Sequence, residues 1–177
     1  ATTTASVFDD VYKTLATLRW QPNISSIKPY YDNPHYIQAI ANQVREHIAD
    51  LEFETEVVLM SFHGIPKQYF DAGDPYYCHC HKTYRLVKES LEADFPNIEF
   101  VLSFQSRFGP KKWLEPYTTD KLSEFGKANK NVVVIAPGFP ADCLETLEEL
   151  AIGEKETFIE NGGKNYSLIP CLNDSDN

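Results

Sequence analysis

The sequence predicts an α/β fold, a parallel sheet with helices on both faces. Val57–Phe62, Phe100–Phe104 and Val132–Ala136 are short apolar runs rich in β-branched or aromatic residues, the pattern of strands buried on both sides. Helical stretches follow each of them, at Tyr77–Ala93, Thr119–Ala128 and Leu144–Glu160. Such alternation marks βαβ units, whose right-handed crossovers place helices on both faces of one sheet.

The elements follow in order. Thr3 or Thr4 is placed to cap a first helix running to about Arg19, and Asn33-Pro34 opens a second running to about Asp50, with a polar cap and a proline at the first helical position. Between them Gln21–Asp32, with two prolines and two serines, reads as a loop. The three strand–helix pairs come next, and a weaker fourth strand is expected at Tyr166–Ile169. The domain division that results is 1–52 for the leading helices and 53–177 for the sheet. No repeats or low-complexity tracts interrupt it.

Composition narrows the function classes. Of 177 residues, 42% are hydrophobic and 24% charged, enough to bury a core. A net charge of −10 argues against nucleic-acid binding, which needs a clustered basic face. Four cysteines (Cys78, Cys80, Cys143, Cys171) are too few for a disulfide scaffold and suit reduced thiols in the cytoplasm. No apolar run approaches the roughly 20 residues that span a bilayer, and no signal peptide opens the chain. The first residue is Ala and the last five are Asn-Asp-Ser-Asp-Asn, so the chain is expected to be a piece of a longer protein.

Ligands of open α/β sheets bind beyond the carboxyl ends of the strands. Those ends carry Ser61-Phe62-His63-Gly64-Ile65-Pro66, Gln105-Ser106-Arg107-Phe108-Gly109-Pro110 and Pro137-Gly138-Phe139-Pro140-Ala141-Asp142, so His63, Arg107 and the 142–149 region are expected to share a cleft. His63 stands where a strand gives way to a Gly-Ile-Pro turn, and imidazole both accepts protons near neutrality and binds metals; a structural histidine bonded to backbone is the alternative. Asp142 is placed to cap the third helix. Glu145 and Glu149, spaced i, i+4, share a helix face, as a cation or proton path or as an acidic first turn matched to the helix dipole. Cys78-His79-Cys80-His81 packs four potential metal ligands together, but a tetrahedral site from four consecutive residues is geometrically awkward. Phe62, Tyr69, Tyr76, Phe108, Trp113 and Phe139 supply an aromatic wall for a flat apolar ligand, or ordinary core.

At Ser61–Pro66 the sequence resembles the ferrochelatase signature. Gly73-Asp74-Pro75-Tyr76, Gln105–Pro110 with Trp113-Leu114, Asp142-Cys143-Leu144-Glu145-Thr146-Leu147 and Ile169-Pro170-Cys171-Leu172-Asn173 follow in that family's order and spacing. The resemblance covers essentially the whole chain. It implies two Rossmann-like, chelatase-type halves with a porphyrin between them, this chain being the second half of a bacterial-type enzyme and Ala1–Arg19 the helix that follows the first. It also implies insertion of Fe2+ into protoporphyrin IX or coproporphyrin III in haem biosynthesis. His63 then accepts pyrrole protons or binds the metal with Glu145, Glu149 continues an acidic path, and Tyr76, Ser106, Trp113 and Phe139 contact the porphyrin. The partners implied are porphyrin, ferrous iron as substrate and the missing N-terminal half, and peripheral membrane contact is compatible with them.

Two departures from the family matter. Cys143 stands where some relatives have histidine beside the glutamate. Cys171 alone occupies the end where some relatives cluster the cysteines of a [2Fe–2S] group, so neither a cluster nor another tightly bound cofactor is expected. Gly153, with Glu154 beside it, leaves the outer end of the acidic path open. The competing readings are a chelatase for cobalt or nickel, and a non-catalytic metal- or porphyrin-binding module using Cys78–His81.

Overall fold

The computed structural model describes residues 4–175. Helices α1 (Thr4–Thr17) and α2 (Pro34–Ala49) lead into β1 (Val57–His63), α3 (Lys67–Asp71), α4 (Tyr76–Leu91), β2 (Glu99–Gln105), α5 (Thr118–Lys127) and β3 (Val132–Ile135). A π-helix (Glu145–Glu154), α6 (Lys155–Glu160) and β4 (Tyr166–Leu168) complete the order. The four strands form one parallel sheet ordered β2-β1-β3-β4. Each expected strand is present within a residue or two of its expected bounds. Thr3, offered as a cap for α1, lies outside the described residues, and Thr4 is the first residue of that helix rather than its cap.

Strand alternation sorts the core into two layers. Val58, Met60 and Phe62 of β1, with Phe100, Leu102 and Phe104 of β2, face α2 and α4 and bury Ile37, Ile40, Ala41, Val44, Val87 and Leu91. Val57 and Leu59, with Val132 and Val134, face α5, the π-helix and α6 and bury Leu122, Phe125, Leu150 and Phe158. The second helix forms as expected: the Asn33 side chain accepts from the His35 and Tyr36 N–H groups, with proline at the first position. Its packing on the sheet brings a part of residues 1–52 into the same core as the strands.

The third expected helix differs. Leu144–Glu160 is not one α-helix but a ten-residue π-helix continued by α6. Asp142 does not cap it. The position before the π-helix is Leu144, which makes no side-chain cap bond. The Asp142 carboxylate instead accepts from the Thr146 hydroxyl (3.0 Å), the Cys171 N–H (3.2 Å) and the Asn173 amide (2.7 Å). The segment after β4 brings donors that the local sequence does not contain. The short α3 was not foreseen. Among the described residues no helix is long and apolar enough to cross a membrane.

Three histidines lose part of their hydration in this packing. His47 bonds the Ser167 hydroxyl at 2.8 Å, His79 stacks on Tyr31 with centroids 3.7 Å apart, and His81 lies against Tyr77. Burial lowers the pKa of each from 6.5. The folded state therefore favours neutral imidazole, and below about pH 6.5 the unfolded chain takes up protons first. Their contribution is complete above that pH and is lost as the pH falls through the depressed folded values. Burial raises the Glu154 pKa, which works in the opposite sense. Urea midpoints are expected to fall from about pH 7 to about pH 5, and His79→Asn to flatten the fall; a dependence that His79→Asn leaves unaltered would exclude His79 as a source.

Candidate active site

His63 is the last residue of β1 and the register partner of Gln105, the last of β2. Its ring Nδ1 lies 2.6 Å from the Gly64 carbonyl. A carbonyl only accepts, so Nδ1 carries the proton and the lone pair of the neutral ring sits on Nε2. The Tyr76 hydroxyl donates to the His63 carbonyl at 2.8 Å, fixing the strand end from the other side. Burial, foremost, raises the Tyr76 pKa, so it stays a donor. Phe139 lies beside His63, with ring centroids 6.4 Å apart. Trp113 belongs to a segment that folds back over the turn after β1: Leu114 N–H donates to Ile65 C=O (3.0 Å) and Lys67 N–H to Lys112 C=O (2.9 Å). Its indole N–H is buried without a partner.

Glu145 opens the π-helix at the same edge of the sheet. A bond from the Cys143 thiol, then one from its own backbone N–H, then the charge of His63 hold its carboxyl below the usual range. His63 ends β1 and Glu145 opens the π-helix, and the imidazole is the last of the groups that bear on the Glu145 carboxyl. Glu149 comes to the end of β2, where its carboxylate accepts the Ser106 N–H (2.6 Å), the Ser106 hydroxyl (2.6 Å) and the Gln105 amide (3.1 Å). Ser106 has φ of 65°, a left-handed conformation costing a non-glycine residue about 1–3 kcal/mol. Glu149 thus binds the N–H of a strained turn, and Ser106 spends its polar groups on that carboxylate.

The winding of the helix matters here. Nine residues make about two and a half turns of an α-helix, but about two turns of the wider helix closed by i→i+5 bonds. Glu154 therefore comes round to the side of Glu145 and Glu149. It is 6% exposed, accepts from the Thr119 hydroxyl at 2.6 Å, and has its other oxygen buried without a partner. Burial, then the charges of Glu149 and Asp120, raise its pKa against the Thr119 bond.

The remaining candidates disperse. The Arg107 guanidinium sits over the Tyr117 ring, 4.5 Å from its centroid, and not beside His63. Phe62 is core on the first face, and Phe108 is 83% exposed. Cys78 is exposed and Cys80 buried, with burial pushing the Cys80 thiol up to about 12; two residues apart on α4, their side chains leave in different directions. Among the described residues no three His, Cys, Asp or Glu side chains gather as a metal site. A hollow of about 540 Å³ lies on the first face, between α1, Tyr31, Tyr36, Tyr76 and His79; neither His63 nor Glu145 lines it. The sequence reading gave no role to Ser61, Ser103 and Thr118, or to the Gln105 side chain, all buried. The available signal was polar residues at alternate positions of otherwise apolar strands.

The family model described as ferrochelatase matches residues 1–177. The chain is 71% identical over 175 residues to a ferrochelatase of Francisella tularensis subsp. novicida. It is 70% identical over 175 residues to ferrochelatases of Francisella tularensis subsp. tularensis and subsp. holarctica. Each match takes in 99% of this chain and 53% of the relative, so the chain spans about half the length of the curated relatives it matches.

Gly64 marks the tightest point of the site. A Cβ there would sit 2.8 Å from the Gln105 carbonyl oxygen and 3.1 Å from the Trp113 ring. Gly64→Ala is expected to lose about 1–3 kcal/mol, the usual cost of overpacking, read as a lower urea midpoint. An unchanged midpoint would show that the strand ends can part without cost.

Proposed function

The chain belongs to the ferrochelatase family, and from that premise we propose that it is the metal-handling half of a lyase inserting ferrous iron into a porphyrin, protoporphyrin IX or coproporphyrin III. What supports the reading is that His63 ends β1 and Glu145 opens the π-helix, with His63 Nδ1 committed to the Gly64 carbonyl. A porphyrin gives up two N–H protons as it takes a dication, so the reaction needs a base and an anionic group on one side of the ring. With Nδ1 held by the Gly64 carbonyl, His63 turns its Nε2 to a pyrrole proton or to the metal. Glu145, its pKa lowered, offers charged oxygens to the incoming iron, and Glu149 continues the acidic line.

Trp113, Phe139, Tyr76 and Ser106 form this chain's side of the porphyrin pocket. The opposing wall belongs to a first half of the protein. Phe108, Leu144 and Leu147, 83%, 73% and 57% exposed at this edge, support an apolar surface awaiting cover. In this reading residues 1–52 lead in from that half, α2 closing one face of the sheet, and 53–177 carry the chemistry. The enzyme works in the cytoplasm without a tightly bound cofactor.

In the full-length protein, His63→Ala and Glu145→Gln are each expected to lower insertion by about 10²–10⁴-fold, the range for removing a positioned acid–base group, with the fold kept. Turnover near that of the unaltered enzyme in either variant would end that residue's assignment. The 177-residue chain alone is expected to insert iron far more slowly than the full-length protein at saturating metal and porphyrin. Equal turnover would show that one wall of the pocket suffices.

A further inference from the structure

Ser61, Ser103 and Gln105 occupy the second-face positions of β1 and β2 nearest the carboxyl ends, where the strands turn from apolar to polar. Ser61, Ser103 and Thr118 are fully buried and Gln105 is 3% exposed. The Ser61 hydroxyl donates to Gln105 Oε1 at 2.8 Å. Ser61 Oγ also lies 2.8 Å from Thr118 Oγ1, which is 2.9 Å from Ser103 Oγ. A hydroxyl has one proton to give. Ser61 gives its own to Gln105, so Thr118 must donate to Ser61 and Ser103 to Thr118.

Beyond Gln105 the direction continues. Gln105 Nε2 donates to the Glu145 backbone carbonyl at 2.9 Å and to Glu149 Oε2 at 3.1 Å. The reversed amide would set its oxygen against a carbonyl and a carboxylate, so the orientation is fixed by its partners. Both N–H donors and the oxygen are in use. Chains of this kind strengthen each member by polarisation. The Gln105 main chain meanwhile accepts the Gly64 N–H at 2.8 Å. Gln105 thus grips the turn that holds His63 through its backbone, and the helix that bears Glu145 through its side chain.

We infer that Gln105 is a positioning residue, whose buried amide, oriented by Ser61, sets the first turn of the π-helix so that Glu145 stands opposite His63. It touches no substrate. It acts by fixing the distance between two groups carried on different elements, and its effect on insertion rests on the function proposed above. Groups that orient a metal-binding or catalytic side chain from behind typically change affinity or activity by about 10–100-fold when removed.

The test uses the full-length protein with Gln105→Met, which keeps the length of the side chain and removes its side-chain hydrogen bonds while leaving the backbone bond to Gly64, and Ser61→Ala, which keeps the amide and removes only its orientation. Gln105→Met is expected to lower kcat by about tenfold or more with the KM for porphyrin within about twofold of its usual value. Backbone hydrogen exchange over residues 145–150 is expected to quicken, while β1 and β3 stay protected. Ser61→Ala is expected to move both readouts the same way by less, and it keeps the test open should Gln105→Met not fold. Unaltered exchange at 145–150 in the folded variants overturns the inference whatever the activity. So does a loss confined to the KM for porphyrin. A full-length protein that inserts no metal overturns the proposed function instead, and exchange alone then decides for or against Gln105 as the clamp.

Discussion

The site depends on how closely the ends of β1 and β2 approach. The Gly64 N–H donates to the Gln105 carbonyl at 2.8 Å, at a point where a side chain on residue 64 has no room. That contact holds His63 and Gln105 in register, and strand alternation then turns both toward the face covered by α5 and the π-helix. Two residues earlier Ser61 and Ser103 share that orientation, so an apolar sheet ends in a short buried polar row. Buried polar groups are costly unless bonded. The row answers by bonding within itself and then to the π-helix, which commits that helix to one place.

Much of this was legible in the chain, for physical reasons. Strands buried on both sides are apolar at most positions, so β1, β2 and β3 show in one pass, and β4, partly exposed along its length, shows less. The place where each run stops names the residues at the sheet's edge, which is why His63 and the 142–149 region could be placed at one end of the sheet; the partnership of His63 with Glu145 came from the family resemblance. The winding of residues 145–154 was not legible. Glu, Leu, Ala and Thr there read as an ordinary α-helix, because nothing local marks a π-helix; the bond from Gln105 to the Glu145 carbonyl comes from a residue forty positions away. The bonds of Asp142 were hidden for the same reason, their donors at Cys171 and Asn173 lying beyond β4. Arg107 shares the loop of Ser106, but the left-handed turn at Ser106 delivers it to Tyr117.

Three of the four carboxylates of the π-helix, those of Glu145, Glu149 and Glu154, share a side and not an environment, and the differences decide what each can offer. Glu154 is buried, with one oxygen unpartnered and its pKa raised, so it leans toward the neutral acid. Glu149 is occupied by three donors from the end of β2; a cation that claimed its oxygens would have to release the Ser106 turn. Glu145 is half-exposed, its pKa lowered first by the Cys143 thiol, then by its own backbone N–H, and in smaller part by His63. Burial and hydrogen bonding give the three carboxyls different surroundings, which the net charge of −10 spread over the whole chain does not express. The function proposed above asks for a carboxylate and an imidazole at one place, and the edge where β1 ends and the π-helix begins is where this fold carries Glu145 and His63.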